Sequence, residues 1–244
     1  MHQVSFSRLG KYGRLGNQLF QIAATYAYAL KYKHKFVIPL WEYSEYFSNI
    51  SKYQSNDFRY YNRQQKPMLR DNDGLNLPYV YGDVELFGYF QSLEYFKNYQ
   101  DQIKELFKHN IILNNIYNGE KWLFVHVRRG DYCNLENIYV DLYKTNYYSI
   151  IDNIKTQYDD IIILTDDVKF CKNKFPNYKI QKSENEIVDL LYMTKGDVVM
   201  SNSTFSWWGS YLNSTPNKKI YAPKKWFNNH LSEKDLYRDD MILI

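Results

Sequence analysis

The chain has 244 residues, of which 45% are hydrophobic and 24% charged, with a net charge of +4. These values exclude a disordered or collagen-like chain and allow one large domain or two of about 100–150 residues each. The charge is too mild for a nucleic-acid binder, and two cysteines cannot build a disulfide framework.

Strand-like runs alternate with helical patterns along the chain, the signature of α/β architecture. Val4–Leu9 predicts a first strand, Gly10–Gly16 a glycine-rich turn, and Asn17 the N-cap of a buried helix over Gln18–Tyr32. Phe36–Ile38 reads as a short strand stopped by Pro39. Residues 41–78 show weak periodicity and read as loops and short helices. Val84–Tyr89 suits a strand, and Ser92 caps a helix expected through Lys108, because Leu93, Phe96, Ile103, Leu106 and Phe107 recur at helical spacing.

The polar stretch Asn110–Glu120 is the best domain boundary, giving domains 1–115 and 116–244. Beyond it Trp122–Val127 predicts a buried strand and Tyr147–Tyr158 a helix. Ile161–Leu164, without a charge, predicts a central parallel strand. Helices are expected over Asp167–Phe175, Glu186–Thr194 and Thr204–Leu212, and strands over Tyr178–Gln181, Val198–Ser201 and Ile220–Ala222. No apolar run approaches the ~18–20 residues of a membrane span, and residues 1–20 hold no secretory apolar core. A cytoplasmic setting is expected, with peripheral membrane association left open. Tyr, Phe and Trp make up 18% of the chain, and tyrosine rings suit sugar or base stacking, although for most of them the expected reading is compositional drift that uses Tyr wherever an amphipathic residue will do.

In wound parallel sheets, ligands sit beyond the carboxyl ends of the strands. Four segments are expected there. In Ser201–Gly209, Ser203 and Thr204 sit at a helix N-terminus, where free N–H groups favour an anion, although an ordinary cap explains them too. Of Trp207 and Trp208, one is expected in the core and the other along a cleft. In His126–Tyr132, Arg128 and Arg129 are adjacent just past a strand, so one points to the ligand and the other to neighbouring structure. An arginine fork can hold a diphosphate, Asp131 can orient it, and the alternative is a surface ion-pair cluster. Gly13–Gln18 is a glycine-rich turn into a helix, with Arg14 available to an anion, but it is neither a Walker loop nor a dinucleotide fingerprint. Asp166 and Asp167 can bind a metal, a ribose or guanine, or cap the next helix; the non-metal roles are favoured.

Together these segments resemble glycosyltransferase family 11, the α-1,2-fucosyltransferases. The resemblance rests on GRLGNQLFQIA at 13–23, GYFQSLEYF at 88–96, HVRRGDY at 126–132, LTDD at 164–167, DLLYMTKGDVVMSNSTFSWWGSYLN at 189–213 and APKKWF at 222–227. It implies a GT-B-type α/β fold, with two Rossmann-like domains facing a central cleft, an acceptor-side N-terminal domain and a donor-binding C-terminal one. It implies GDP-fucose as donor and a β-galactoside as acceptor, with inversion and with no metal or other cofactor. By the same resemblance Arg128 or Arg129 holds the diphosphate, and Asp131, Ser203 and Thr204 complete the donor pocket. His126 and Asp166 lie on the donor side, while Arg14, Asn17 and Gln18 face the cleft. A related transferase with another donor or acceptor, or a non-catalytic glycan-binding module, is the alternative.

Breaking a sugar–phosphate bond builds negative charge on the departing diphosphate, which fixed cations and N–H donors can stabilise. No Asp-x-Asp, the metal-binding triplet of many glycosyltransferases, is read in the sequence. Asp131, His126 and Glu94 are each conceivable as the base for the acceptor proton, as is a reaction with no dedicated base.

Overall fold

The structure is a computed structural model that describes residues 1–55, 67–109, 111, 113 and 119–244. The chain divides into two compact units, Met1–Ile111 and Ile112–Ile244.

The first unit carries a four-stranded, wholly parallel sheet in the order β2-β1-β4-β3, made of β1 (Gln3–Ser5), β2 (Lys35–Val37), β3 (Met68–Arg70) and β4 (Val84–Phe87). Helix α1 (Leu15–Tyr32) connects β1 to β2, and α2 (Gln100–Leu106) follows β4. The sequence places the start of α1 three residues late. Gly13, at φ +80°, turns the chain so that Arg14 is extended, and the Gln18 N–H then donates to the Arg14 carbonyl at 3.0 Å. Asn17 does not cap, because its Oδ1 accepts from Gln91 Nε2 at 2.8 Å. The helix expected from Ser92 to Lys108 is broken into two 3₁₀ turns, Leu93–Tyr95 and Lys97–Tyr99, and then α2. Phe96 (φ −138°) and Tyr99 (φ −130°) leave helical geometry between the pieces, while Phe96, Ile103, Leu106 and Phe107 stay buried.

The second unit holds a six-stranded parallel sheet in the order β10-β9-β8-β5-β6-β7. Its elements are β5 (Trp122–Val127), α3 (Ile150–Ile154), β6 (Asp160–Thr165), α4 (Val168–Lys174), β7 (Lys179–Gln181), α5 (Glu186–Tyr192), β8 (Asp197–Val199), α6 (Thr204–Tyr211), β9 (Ile220–Ala222) and β10 (Met241–Leu243). All six residues of β5 are buried, as a strand covered on both faces requires. The helix expected over Tyr147–Tyr158 reduces to α3 flanked by 3₁₀ turns. Both of its leading tyrosines enter the core, where Tyr147 donates to the Tyr221 carbonyl (3.1 Å) and Tyr148 to the His126 carbonyl (3.0 Å).

Trp207 and Trp208 are both fully buried, so neither lines a cleft. The C-terminal segment covers the helix that carries them. Trp207 Nε1 donates to the Leu236 carbonyl at 2.6 Å, and the Arg238 guanidinium lies over the Trp207 ring at 4.7 Å. Each unit is thus a Rossmann-like parallel sheet. Among the described residues no helix is long and apolar enough to cross a membrane.

Candidate functional site

The second sheet reverses direction between β5 and β8. From β5 the chain winds through β6 to β7 on one side, then returns to lay down β8, β9 and β10 on the other. Loops leaving the two strands at such a point diverge and open a crevice at their carboxyl ends. His126, near the end of β5, bridges this point: its Nδ1 lies 2.8 Å from the Oγ of Ser201, just past β8. The ring is buried and packs on Phe205 at 5.1 Å between centroids, so His126 braces the crevice from below.

Arg128 and Arg129 leave β5 above that brace. One Arg128 amino group donates to the Asp166 carboxylate and the other to Asp131, and its guanidinium lies 5.1 Å above the Tyr132 ring. Its side chain is only 10% exposed, whereas Asp131 is 56% exposed. Asp166 also accepts from the Arg129 backbone N–H at 2.9 Å. A Cβ on Gly130 would stand 2.4 Å from an Asp166 oxygen, so this approach requires glycine. Arg129 turns the other way, over the Phe170 ring at 3.7 Å. Asp141 and Asp167 flank it at 3.7 and 3.6 Å, too far for good hydrogen bonds, and its buried Nε has no hydrogen-bond partner among the described residues. Stacked on Tyr139 at 4.0 Å, Tyr132 is held neutral well above the ordinary tyrosine range, chiefly by burial.

On the β8 side Ser203 caps α6, its Oγ accepting from the Phe205 N–H at 3.3 Å. Asn202 fixes the turn before it by donating to the carbonyls of Val140 (2.8 Å) and Trp226 (3.1 Å). Thr204, half-buried, opens the helix. Asp167 caps α4 through the Phe170 N–H at 3.1 Å, the capping role weighed for it from sequence. The structure therefore brings His126, Arg128, Arg129, Asp131, Asp166, Ser203 and Thr204 to one end of three adjacent strands, β8, β5 and β6.

Arg14, Asn17 and Gln18 belong to the first unit, past β1. Arg14 is exposed and Asn17 half-buried. Gln18 is turned inward: its Nε2 donates to the Gly13 carbonyl (2.9 Å) and its Oε1 accepts from Trp41 Nε1 (2.6 Å). These two hydrogen bonds tie the glycine turn to Trp41 through Gln18 and leave its side chain little to offer a ligand.

Asp141 and Phe170, which frame Arg129, are not identifiable from sequence, because each sits in a separate segment that only folding brings to β5. An Asp-x-Asp triplet does occur, at Asp71–Asn72–Asp73 in the first unit. Its carboxylates serve the turn after β3, accepting from the N–H groups of Tyr89 (2.7 Å) and Arg70 (2.6 Å). Among the described residues no three His, Cys, Asp or Glu side chains converge as a metal-holding group.

A site of paired arginines, aspartates and a hydroxyl-capped helix at the switch point suits an anionic ligand. The glycosyl transferase family 11 model matches residues 9–244. The chain belongs to that family. It is 27% identical to the O-antigen biosynthesis glycosyltransferase WbnK of Escherichia coli, over 91% of this chain and 95% of that protein. An alpha-1,2-colitosyltransferase of Escherichia coli is 28% identical over 60% of this chain and 57% of its own length. A galactoside 2-alpha-L-fucosyltransferase of Caenorhabditis elegans is 26% identical over 54% and 43%. In fold, the chain is similar to POFUT1 in complex with GDP (TM-score 0.53, 13% identity, 91% of this chain and 98% of that one). It is similar also to fucosyltransferase NodZ from Bradyrhizobium (TM-score 0.52, 12% identity, 86% and 93%). This family 11 glycosyltransferase thus has an α/β fold of the GT-B type.

Proposed function

We propose that this chain transfers L-fucose from GDP-β-L-fucose to the 2-hydroxyl of a β-galactoside, with inversion and without a metal. The observation that carries this is the pairing of two guanidiniums past β5 with the capped N-terminus of α6 past β8, across one switch point. The donor specificity draws on the one fucosyltransferase among these relatives and on the GDP complex of a fold neighbour. The acceptor class draws on the galactoside enzyme of Caenorhabditis elegans.

The second unit binds the donor. As the site stands, two arginines face four aspartates, so an arriving diphosphate must exchange with a carboxylate. Asp131 is the exchangeable one, since exposed ion pairs contribute little and re-form readily. The diphosphate takes its place on Arg128, while Asp166, half-buried, keeps the other amino group aimed. The Ser203 hydroxyl, at the N-terminus of α6, supplies a further donor. The acceptor oxygen attacks the anomeric carbon from the face opposite the phosphate. The C–O bond to phosphate breaks, GDP leaves with the electron pair, and the acceptor hydroxyl loses its proton. His126 is buried against Ser201, and Glu94 is paired with Lys97 at 2.5 Å. Asp131, once off Arg128, lies beside the diphosphate, on the side opposite the attacking hydroxyl, so the transfer runs without a dedicated base among these three.

Incubation with GDP-fucose and lactose, with and without chelator, tests this. Release of GDP and of a fucosylated product in both arms is expected; absence of turnover with every β-galactoside overturns it. The colitosyltransferase relative favours a second reading, in which the donor is GDP-colitose, the 3-deoxy counterpart of GDP-fucose. Side-by-side turnover of the two donors separates them.

A further inference from the structure

The first sheet also reverses, between β1 and β4: α1 carries the chain from β1 out to β2, and β3 and β4 build on the opposite side. The loops leaving β1 and β4 hold Tyr12 and Tyr89, whose rings stack at 4.5 Å between centroids and 17° between planes. Tyr89 is 37% exposed. We infer that this pair is a stacking platform for a pyranose of the acceptor glycan. The inference rests on the proposed function for its choice of sugar.

The platform is built, not incidental. The buried Gln21 side chain ties both loops together, its Nε2 donating to the Tyr12 carbonyl (2.9 Å) and to the Gly88 carbonyl (3.3 Å). Among the described residues its buried Oε1 has no hydrogen-bond partner, so the amide is positioned for the loops at some cost to itself. Asp71 accepts from the Tyr89 N–H at 2.7 Å. Tyr89 stands between Gly88 at φ +145° and Phe90 at φ +53°, the latter a left-handed conformation that bulky residues rarely adopt. Phe90 is fully buried, which holds the strained turn and presents the neighbouring ring.

The surroundings match a sugar. The axial 4-hydroxyl of galactose leaves one face of the ring covered by C–H bonds, and such a face lies flat on an aromatic ring. Polar groups lie on the two segments that carry the rings: the amides of Asn17 and Gln91, 2.8 Å from each other, and the exposed Arg14. Four residues of this platform, Arg14, Asn17, Tyr89 and Gln91, come from the GRLGNQLFQIA and GYFQSLEYF segments.

The test uses the full chain carrying Tyr89→Ala, Tyr89→Phe or Tyr12→Ala, with lactose as acceptor and GDP affinity by calorimetry. Both alanine variants are expected to raise the KM for lactose roughly tenfold, while Tyr89→Phe, which keeps the ring, stays within about twofold. GDP affinity stays at the wild-type value throughout. An unchanged lactose KM in Tyr89→Ala overturns the platform, as does a parallel loss of GDP affinity. Saturation-transfer NMR with methyl β-D-galactopyranoside keeps it separate from the proposed function. If the wild type transfers to no galactoside, a ring-proton signal lost in Tyr89→Ala still supports the platform. No signal in the wild type overturns it.

Discussion

Two parallel sheets in this chain reverse their strand order, and each gathers a different chemistry at the reversal. Past β5 and β8 in the second unit the groups are ionic: Arg128 and Arg129 among Asp131, Asp141, Asp166 and Asp167. Past β1 and β4 in the first unit they are aromatic rings and amides, fixed by backbone geometry at Gly13, Gly88 and Phe90. The same topology makes a crevice in both, and the side chains decide what enters it. A diphosphate needs cations that stay ordered before it arrives, and carboxylates can hold them and then give way. A sugar needs flat apolar surface and neutral hydrogen bonding, which rings and amides supply with no ion exchange.

The largest effect expected from breaking this contrast is on the donor. Arg128→Ala removes the cation that faces the exchangeable carboxylate and should weaken GDP binding or turnover by about 3 kcal/mol, more than a hundredfold. Arg128→Lys recovers only part of this, since an ammonium cannot reproduce the fork that reaches Asp166 and the diphosphate together. Calorimetry with GDP is the measurement. If neither Arg128→Ala nor Arg129→Ala changes GDP affinity, the ionic crevice is not the donor site.

Next in size are two glycine substitutions that separate backbone from charge. Gly88→Ala places a Cβ 2.3 Å from the Asp71 carboxyl carbon at φ +145°, a conformation closed to other residues. A loss of about 2–3 kcal/mol in denaturant stability is expected, with GDP affinity intact in the protein that folds. Gly130→Ala meets the Asp166 carboxylate, with the Arg128 guanidinium next at 3.8 Å, and its φ lies outside the left-handed region. That carboxylate can rotate aside, so stability should fall by less, about 1 kcal/mol. The cost appears instead in GDP affinity, because Asp166 then releases Arg128. Equal effects of the two substitutions on both measurements would erase the distinction between the units.

The ionic crevice was more legible in the sequence than the aromatic one. Charge-free runs such as Ile161–Leu164 announce buried parallel strands, and arginines directly past such a run must emerge at a sheet end. Short strands hid themselves: Met68–Arg70 and Met241–Leu243 are three residues each, too brief for a periodic signal. The cap of α1 was misread because the oxygen of Asn17 is taken by Gln91, 74 residues away. Trp207 and Trp208 lost their expected division of labour because residues near Leu236 and Arg238 fold over α6. The platform tyrosines were invisible among 26 tyrosines until two loops brought one pair face to face. In the last three cases the missing information was a long-range contact, which local pattern does not carry.

The smallest predicted effect discriminates cap from anion site at Ser203. A serine at an N-cap satisfies one helix N–H, and here it accepts from Phe205. Ser203→Ala should therefore cost about 1 kcal/mol in stability. Ser203→Asp restores the cap, and its charge suits the helix dipole, so stability should return to that of the wild type. For a diphosphate the two substitutions rank differently. Alanine removes one hydroxyl donor and weakens GDP binding slightly, by about 0.5–1 kcal/mol. Aspartate sets a negative charge where the anion is to sit, and should weaken GDP more than alanine does, with the difference shrinking as salt is raised. Denaturation and GDP calorimetry on both variants read this out. Should aspartate restore GDP affinity along with stability, Ser203 is a helix cap alone, and the arginines past β5 hold the diphosphate without it.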